Sequence, residues 1–328
     1  MNPDDMDHYD IAVIGGGAAG LSAALVLSRA RRRVLVVDAG HPRNAPATHM
    51  HGYLSRDGMP PAELLATGRD EVRGYGGDIA DGTVIDLVAD DHGFTAVLTG
   101  GQRISARRVL VTTGLRDELP DIAGLRDRWA RDVLHCPYCH GHEVSDRPLG
   151  VVGGTPGAVR YAQIVRQWTD DLVYFTAPDV LAAVERDELR ARGIGVVEGT
   201  IAQLVIDDVD VLRGVQMRDG CVIPVEALFV PPRFVPNSDL LVGLGCDVNA
   251  DGWVTVDPTG RTSVPGVWAA GNIVDPRAQV ITAAGAGSAA AIAMNADLVE
   301  EDVRNAVRDL DHRLTIGSTT SASPKESA

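Results

Sequence analysis

The stretch DIAVIGGGAAGLSAALVLSRARRRVLVVDAG, Asp10 to Gly40, decides the fold class of this chain. It consists of an apolar strand, a glycine-rich turn, a helix of small and large apolar residues, and a second apolar strand, which together make a βαβ unit. Gly15, Gly17 and Gly20 form the pattern G-x-G-x-x-G. In such a turn the first glycine permits the tight bend, the second lets the backbone approach a pyrophosphate, and the third lets helix and strand pack closely.

An acidic residue completes this pattern. Asp38 stands at the end of the second strand, about 20 residues after the turn, where a carboxylate accepts hydrogen bonds from a ribose. The start of the helix faces the phosphates with its unpaired N–H groups. The segment therefore predicts a dinucleotide-binding domain, and the alternative interpretation is a glycine-rich loop that holds no ligand.

Length and composition narrow the class of protein. A chain of 328 residues suits two compact domains, with one large α/β domain as the alternative. The net charge is -15 and the 30 basic residues are scattered along the chain, which argues against nucleic-acid binding. The sequence contains no run of about 18 apolar residues and does not start with a basic and then apolar leader. We therefore expect a cytoplasmic protein that does not bind membranes.

A second strand–turn–helix pattern, PLGVVGGTPGAVRYAQIVRQW, begins at Pro148. Here Thr155 replaces the middle glycine of the motif, and Pro156 stands where phosphates would approach. The following strand ends in YFTAP, residues 174–178, which offers neither an acid for the ribose of NAD nor an arginine for the 2′-phosphate of NADP. This pattern predicts a dinucleotide fold whose NAD(P)H site is degraded.

Three further segments have a composition that predicts their structure. The segment His41 to Ala62 is rich in Pro, Gly, His and Arg and lacks a period, so we expect a loop over a ligand. The strand VWAA is followed by Gly271 and Asn272, and a long helix of small residues is predicted from about Gln279. The segment after Ile316, GSTTSASPKESA, has the composition of a disordered tail.

The stretch HCPYCHGHE, His135 to Glu143, contains two of the four cysteines of the chain. Four cysteines are too few for a disulfide scaffold, and in a reducing compartment a close pair such as Cys136 and Cys139 is catalytic or metal-binding. Cys221 and Cys246 stand alone and are predicted to be small buried residues.

Two other chemistries compete for this stretch. CPYCH matches the C-x-x-C-H signature of covalent haem attachment, but that modification requires export and a pocket for the axial ligand. A structural zinc site needs four ligands, usually with a second closely spaced pair, and Cys221 and Cys246 are not spaced in that way. Thiol–disulfide exchange is the chemistry that these residues favour.

Two nucleotide folds, with a C-x-x-C pair in the inserted one, resemble the low-molecular-weight thioredoxin reductase family of FAD flavoproteins. The resemblance covers nearly the whole chain and rests on GGGAAG at 15–20, TTG at 112–114, the C-x-x-C pair, GVWAAGN at 266–272 and AQV at 278–280. It implies an α/β fold of two Rossmann-like, three-layer ββα domains, the second inserted in the first. The implied division is an FAD-binding domain formed by residues 1–116 and 241–316, an NAD(P)H-binding-like domain with the C-x-x-C at 117–240, and a disordered tail at 317–328.

The same resemblance implies the residues of the flavin site and a homodimer. The residues that would contact FAD are Gly15, Gly17, Gly20, Asp38, Gly114, Gly271, Asn272, Gln279 and Val280. Asn272 stands where the family has an aspartate on the flavin's ribitol, a change that keeps a hydrogen-bond acceptor and loses a charge.

The chain departs from the reductases in the motifs that bind NADPH and surround the dithiol. It has CPYCH and GGTPGA where reductases have CxxCD and GGGDSA, and it lacks their HRR stretch. In these features it resembles the dithiol oxidases of the gliotoxin and holomycin type, which close a small-molecule dithiol and pass electrons through FAD to O2. We therefore expect an FAD-dependent dithiol oxidase. The alternatives are an NAD(P)H-dependent reductase of a thioredoxin-like protein and, in another class, a non-catalytic flavin redox sensor.

His140 is the predicted acid/base residue. It follows Cys139 directly, in the position where reductases place their acid, and an imidazole with a pKa near 6.5 transfers protons in both directions near neutral pH. The resemblance implies that Cys139 faces the flavin and Cys136 exchanges with the substrate. His142 and Glu143 either orient His140 or are structural, and we expect His135 to be a packing or solvent-facing residue.

Overall fold

A computed structural model describes residues 8–90 and 93–320 of the chain. These residues form two compact units. The first unit is built from the described residues of 1–40, 68–113 and 238–328, and the second from residues 41–67 and 114–237. The second unit therefore interrupts the sequence of the first, as the resemblance implied.

The chain contains seventeen strands in its described part. In chain order these are β1 His8–Ile14, β2 Val34–Asp38, β3 Asp78–Asp81, β4 Val84–Asp90, β5 Gly93–Leu98, β6 Arg103–Val111, β7 Leu115–Glu118, β8 Val133–Leu134, β9 Leu149–Val152, β10 Leu172–Thr176, β11 Gly195–Glu198, β12 Ile201–Ile206, β13 Leu212–Met217, β14 Val222–Pro224, β15 Ala227–Phe229, β16 Arg233–Pro236 and β17 Val267–Ala269.

Seven α-helices accompany these strands in the same part of the chain. They are α1 Ala18–Arg29, α2 Pro61–Gly74, α3 Pro137–His140, α4 Ala158–Val165, α5 Ala183–Ala191, α6 Asp239–Gly243 and α7 Val280–Thr320. No helix among the described residues is both long enough and apolar enough to cross a membrane.

The first unit is organised around a seven-stranded sheet. The strand order is β3-β2-β1-β6-β5-β4, and β17 also pairs with β6. Strands β3, β2, β1, β6 and β17 are parallel, whereas β4 and β5 are antiparallel to their neighbours. The predicted βαβ unit is confirmed as β1–α1–β2. Because parallel strands end at one edge of a sheet, the residues after β1, β2 and β6 lie side by side.

Helix α1 packs against α7 in this unit, and the close approach depends on small residues. A β-carbon at Gly287 of α7 would collide with the backbone of Ala19 in α1, so only glycine permits this separation. Ion pairs hold α7 to β6: Arg108 Nε lies 2.7 Å from Asp297, and Arg107 Nη2 lies 2.7 Å from Glu301. The predicted start of this helix is confirmed, since α7 begins at Val280.

The second unit has three layers. Its central sheet is parallel, with the order β11-β10-β9-β15-β8. Successive residues of a strand face opposite sides, so Tyr174 packs with helices α4 and α5 while Phe175 packs with the antiparallel sheet β12-β13-β14. This arrangement confirms the ββα architecture.

The observed bounds differ from the predicted ones in three places. Residues 41–67 belong to the second unit, whereas the sequence division placed them in the first. Helix α2 starts at Pro61, inside the predicted loop, because proline is well suited to the first turn of a helix. Helix α7 continues to Thr320, four residues into the segment assigned to the disordered tail, and residues 321–328 lie outside the described residues.

The two segments that connect the units pair with each other. Strand β7, which follows the exit from the first unit, is antiparallel to β16, which precedes the return. A two-stranded ribbon forms here because the outgoing and returning segments run in opposite directions beside each other and satisfy their backbone groups mutually.

Candidate active site

The first glycine-rich turn lies at the carboxyl edge of the sheet of the first unit. The N–H of Gly15 donates to the carbonyl of Val37 at 2.8 Å, and the N–H of Thr112 donates to the carbonyl of Ile14 at 2.8 Å. Gly15 has φ +109°, and a β-carbon there would lie 2.6 Å from the carbonyl oxygen of Thr112. The turn is therefore fixed by the neighbouring strands and requires glycine at its first position.

The other two glycines of the motif have different environments. A β-carbon on Gly20 would collide with the carbonyl of Gly15, so this glycine is needed for helix and strand to pack. A β-carbon on Gly17 would meet nothing within 4 Å, and its φ of -78° is ordinary. Neither backbone conformation nor a close contact within the protein therefore requires glycine at position 17. The open space in front of Gly17, at a helix start without a side-chain cap, fits a pyrophosphate.

Asp38 borders this turn, as the motif requires. A β-carbon on Gly16 would lie 2.8 Å from Asp38 Cγ. The Asp38 carboxylate also forms an ion pair with Arg69 of α2. A carboxylate has about four acceptor positions, so this pairing leaves acceptor capacity for ribose hydroxyls. Arg69 was not identified from the sequence, since it lies in no motif.

Asn272 holds the segment that leads into α7. Its Nδ2 donates to the carbonyl of Asp275 at 2.9 Å and to the carbonyl of Ala278 at 3.0 Å. Both hydrogens of the amide are therefore used, and Oδ1 is the atom that Asn272 can offer to a ligand. An aspartate, which the reductases have here, could not make these two donations when ionised.

The predicted flavin residues fall into two groups. The glycine turn and residues 271–280 lie together in the first unit, because a β-carbon on Gly271 would lie 2.9 Å from the Ala19 side chain. Gln279 precedes α7 and its carbonyl accepts the N–H of Ala283 at 2.8 Å, and Val280 is the first residue of the helix. Gly114, with φ +67°, belongs to the second unit, where its carbonyl accepts the N–H of Asn237.

The two cysteines of the C-x-x-C stretch are joined by a disulfide. Cys136 precedes the single turn of α3 and Cys139 lies within it, with their Cα atoms 5.2 Å apart. The turn forms because Pro137 starts it and the backbone N–H groups of Cys139 and His140 both donate to the carbonyl of Cys136 at 3.1 Å. The spacing of the pair therefore follows from one helical turn.

His140 ends this turn and is half-buried. Burial lowers the pKa of His140 below its ordinary value; Glu143 opposes this shift, and His51 adds to it. A lowered pKa keeps the imidazole neutral at neutral pH, so His140 can accept a proton from a thiol. The arrangement fits the acid/base role that was predicted for it.

His135 lies on the other side of Cys136 in sequence and packs edge-on against Phe234, with ring centroids 5.0 Å apart. Burial lowers the pKa of His135 to about 4, so the ring is neutral at physiological pH. The hydroxyl of Tyr161 donates to the backbone carbonyl of His135. Within the described part of the chain, His135 Nδ1 is buried and has no hydrogen-bond partner. These contacts agree with a packing role.

One cluster of polar residues near the disulfide was missed by the sequence analysis. His51 Nε2 lies 3.4 Å from Glu143 Oε1, and His51 Nδ1 lies 3.3 Å from Asp57 Oδ2. The prediction assigned residues 41–62 only as a loop over a ligand. A histidine inside that loop was the available signal, but the sequence could not show that it faces Glu143.

The two remaining cysteines, Cys221 and Cys246, differ in solvent exposure. Cys246 is buried, as predicted, and burial raises the pKa of its thiol. The prediction for Cys221 was wrong, because this residue is exposed in the turn between β13 and β14, where its N–H donates to Asp219. Within residues 8–90 and 93–320, no group of three or more His, Cys, Asp or Glu side chains is placed to hold a metal ion.

Comparison with known proteins agrees with this arrangement of a glycine turn, an inserted unit and a disulfide. The sequence pattern of the pyridine nucleotide-disulphide oxidoreductase family matches residues 9–288. The chain belongs to this family. As a pyridine nucleotide-disulphide oxidoreductase it is a redox enzyme, and the family implies FAD as its cofactor. The open turn at Gly17, the carboxylate of Asp38 and the oxygen of Asn272 fit that group.

Several relatives in this family have been named. Thioredoxin reductase sirT of Leptosphaeria maculans is 30% identical over 90% of this chain and 96% of its own length. The crystal structure of HlmI is 56% identical with a TM-score of 0.90, covering 94% of this chain and 98% of that one. The putative thioredoxin reductase TrxB of Bacillus anthracis is 32% identical with a TM-score of 0.85, covering 90% and 99%. The resemblance to thioredoxin reductases is confirmed.

Proposed function

We propose that this protein is an FAD-dependent dithiol oxidase that converts a small-molecule dithiol into its disulfide and makes little or no use of NAD(P)H. The observation that carries the proposal is the second glycine-rich turn, at the end of β9, whose helix starts later than that of the first turn and whose proline supplies no N–H. Each turn connects a central parallel strand to the following helix in its unit, so the backbone conformations of the two turns can be compared directly.

The backbone of the second turn delays the start of its helix. Helix α1 begins at Ala18, directly after the second glycine of its motif. Helix α4 begins only at Ala158, after Pro156 and after Gly157, which has φ +80°. The helix start that would face a pyrophosphate is therefore moved along the chain, and Pro156 contributes no N–H to the turn.

Two backbone donors of this turn, those of Gly153 and Ala158, are occupied within the protein. Burial raises the pKa of Tyr174 on β10, and the backbone of Gly154 partly opposes that shift. A β-carbon on Gly153 would collide with the Tyr174 ring and hydroxyl. The N–H of Gly153 donates to the carbonyl of Phe175 at 2.7 Å, and the N–H of Ala158 donates to the carbonyl of Thr155 at 3.1 Å. Together with the missing N–H of Pro156, these bonds reduce the number of donors that the turn offers to a pyrophosphate.

The disulfide supplies the oxidising group for the substrate. A substrate thiolate attacks Cys136 Sγ and breaks the bond to Cys139, which leaves as a thiolate. The second substrate thiol then attacks the mixed disulfide, so that the substrate becomes a disulfide and the Cys136–Cys139 pair becomes a dithiol. Two electrons and two protons are transferred, and His140 Nδ1 or Nε2 takes the proton of the attacking thiol.

We propose that the residues of the first unit hold FAD, together with Gly114. The backbone at Gly15, Gly17 and Gly20 would bind the pyrophosphate and Asp38 the ribose, while Gly271, Asn272, Gln279 and Val280 would contact the rest of the cofactor. Bound FAD supplies a two-electron acceptor for the reduced cysteine pair, with O2 as the proposed final acceptor. Cys139 is the cysteine that we assign to the flavin side.

The test is anaerobic stopped-flow absorbance of the purified yellow protein, mixed separately with NADPH, NADH and dithiothreitol. We expect dithiothreitol to reduce the flavin, which is measured as loss of its visible absorbance. Neither NADPH nor NADH should reduce the flavin at a comparable rate. Bleaching by micromolar NADPH within milliseconds would contradict the proposal. It would show that GGTPGA binds phosphate despite Pro156 and its late helix start.

The second candidate function is an NAD(P)H-dependent reductase of a thioredoxin-like protein, which is favoured by the names of relatives such as sirT. Turnover of thioredoxin with NADPH would establish it. A non-catalytic redox sensor, the candidate of another class, predicts one stoichiometric flavin reduction and no catalysis with any dithiol. The homodimer and the cytoplasmic location remain predictions, and sedimentation of the purified protein tests the first.

A further inference from the structure

The His51 loop, defined as residues 50–59, closes on itself. The N–H of Met50 donates to the carbonyl of Met59 at 2.9 Å, and the N–H of Gly58 donates to the carbonyl of Met50 at 2.9 Å. The side chain of Met50 is buried. The N–H of Gly52 donates to Asp57 Oδ1 at 2.8 Å, which fixes the carboxylate inside the loop. These hydrogen bonds therefore fix the conformation of the loop and the position of the His51 side chain.

The His51 side chain contacts two carboxylates, those of Asp57 and Glu143. Its Nδ1 lies 3.3 Å from Asp57 Oδ2 in the loop, and its Nε2 lies 3.4 Å from Glu143 Oε1 on the turn that continues α3. When His51 is protonated, both of its ring nitrogens are donors and both carboxylates can accept from it. The imidazole ring is only about one-quarter exposed, with a relative exposure of 24%. The contact places an imidazole between two carboxylates beside the dithiol turn.

Glu143 interacts with both His51 and the predicted acid/base residue. It follows His140 by one helical turn, and its negative charge raises the pKa of His140, whereas burial and the charge of His51 lower it. His140 in turn contributes to the lowered pKa of His135, behind burial and Arg43. On the side of the loop, Asp57 faces His51 and also interacts with His142. These are the charged groups that surround the pair.

We propose that His51 and Glu143 are a positioning pair, in which their ion pair seats the His51 loop against the dithiol turn and sets the charge around His140. In this way the pair determines the pH range over which His140 exchanges protons with the cysteines. The inference rests on the proposed function, because it assumes that His140 is the acid/base group. It adds two residues, one from each segment, that act on the reaction through His140.

The proposal predicts shifts of opposite sign. Replacing His51 with Gln removes a group that lowers the pKa of His140, so that pKa rises and the acidic limb of the pH–rate profile moves to higher pH. Replacing Glu143 with Gln removes a negative charge, so the limb moves to lower pH. Each shift should be about 0.5 pH units for partly exposed charges and should shrink as salt is added. A change in loop packing alone would not produce opposite signs.

The experiment measures the rate of flavin reduction by dithiothreitol in single turnovers, as a function of pH, for the FAD-loaded protein. The variants are His51→Gln, Glu143→Gln, the double variant, and His49→Gln as a matched control, since His49 is an exposed histidine of the adjoining segment. We expect the two single variants to shift the limb in opposite directions and the double variant to return toward the unmodified protein. The His49→Gln profile should superimpose on it.

Two outcomes separate this inference from the proposed function. If the limb depends on His140 but neither single variant moves it, or both move it in one direction, the positioning pair is wrong while the proposed function stands. If His140→Ala retains the limb, the role of His140 itself fails, and the positioning pair fails with it. Flavin absorbance and circular dichroism of each variant verify that it is folded.

Discussion

Tyr174 lies against Gly153 in the second glycine-rich turn, where a β-carbon on Gly153 would lie 2.4 Å from the Tyr174 hydroxyl. The tyrosine is buried, and burial raises its pKa while the backbone of Gly154 partly opposes that shift. The side chain of the neighbouring strand has therefore become part of the turn. In the first unit the corresponding glycine, Gly15, lies closest to the backbone carbonyl of Thr112 and not to an aromatic side chain.

Changing the second turn toward the first should create sensitivity to NADPH. The combined variant Thr155→Gly, Pro156→Ala and Tyr174→Phe restores the middle glycine and the N–H at position 156 and removes the hydroxyl beside Gly153, and each recovered hydrogen bond to a phosphate is worth about tenfold in affinity. We expect NADPH to reduce its flavin at least about tenfold faster than that of the unmodified protein. Stopped-flow absorbance measures this rate, and Tyr161→Phe is the control, since it removes another tyrosine hydroxyl of the same core. An unchanged rate would show that the turn is not what limits NADPH use.

Two glycine variants should distinguish cofactor binding from folding. Gly17→Ala places a methyl group in open space, so the apoprotein should unfold at an unchanged temperature while its affinity for FAD falls by about tenfold or more. Gly20→Ala places the same methyl group against the carbonyl of Gly15 and should destabilise the fold by about 1–3 kcal/mol. Thermal unfolding of the apoproteins and FAD titration measure both effects. Equal FAD affinity for Gly17→Ala and the unmodified protein would contradict the proposed pyrophosphate site.

The two cysteines should differ in their spectra. Cys139→Ser should still bind FAD but lose the long-wavelength absorbance that a thiolate beside oxidised flavin produces, because Cys139 is assigned to the flavin side. Cys136→Ser leaves that thiolate in place and should show the band without added reductant. Absorbance spectra of the two variants measure this difference. A band that persists in Cys139→Ser and is absent from Cys136→Ser would reverse the two roles.

Loss of His140 should slow proton transfer. His140→Ala should reduce the rate of flavin reduction by dithiol about 10²-fold, which is typical of removing an acid/base group. Because burial lowers the pKa of His140, the base form persists below the ordinary histidine range, and the activity should fall only as the pH drops through this lowered value. The pH–rate profile measures both effects. A rate within twofold of the unmodified protein would make His140 structural.

Asn272→Asp should weaken the flavin site although reductases carry aspartate at this position. The amide of Asn272 donates to the carbonyls of Asp275 and Ala278, and an ionised carboxylate would face both carbonyls without a proton. We expect a loss of about 1–3 kcal/mol in the free energy of unfolding and weaker retention of FAD. Urea unfolding and FAD release on dilution measure these effects. Asn295→Asp is a control on α7, where the side-chain oxygen and not the amide accepts from Arg32.

Much of the fold could be predicted from local patterns. The βαβ unit at residues 8–38, the inserted second dinucleotide fold and the start of α7 all follow from the periodicity of apolar residues and the position of glycines. The antiparallel strands β12, β13 and β14 were not predicted. Their buried residues, such as Leu204 and Val215, pack in one cluster with Phe175 of the parallel sheet. The local sequence does not reveal this contact.

Short-range spacing was enough to determine the chemistry of this protein, because Cys136 and Cys139 lie one helical turn apart and the residues of the Gly15 turn act as a contiguous unit. The charge around His140 depended on the tertiary structure, since His51 reaches Glu143 only when a loop far away in the sequence packs in the same unit. The second glycine-rich turn combines both levels. Thr155 and Pro156 were visible in the sequence, but Tyr174 lies against Gly153 only because parallel pairing of β9 and β10 brings the two segments side by side.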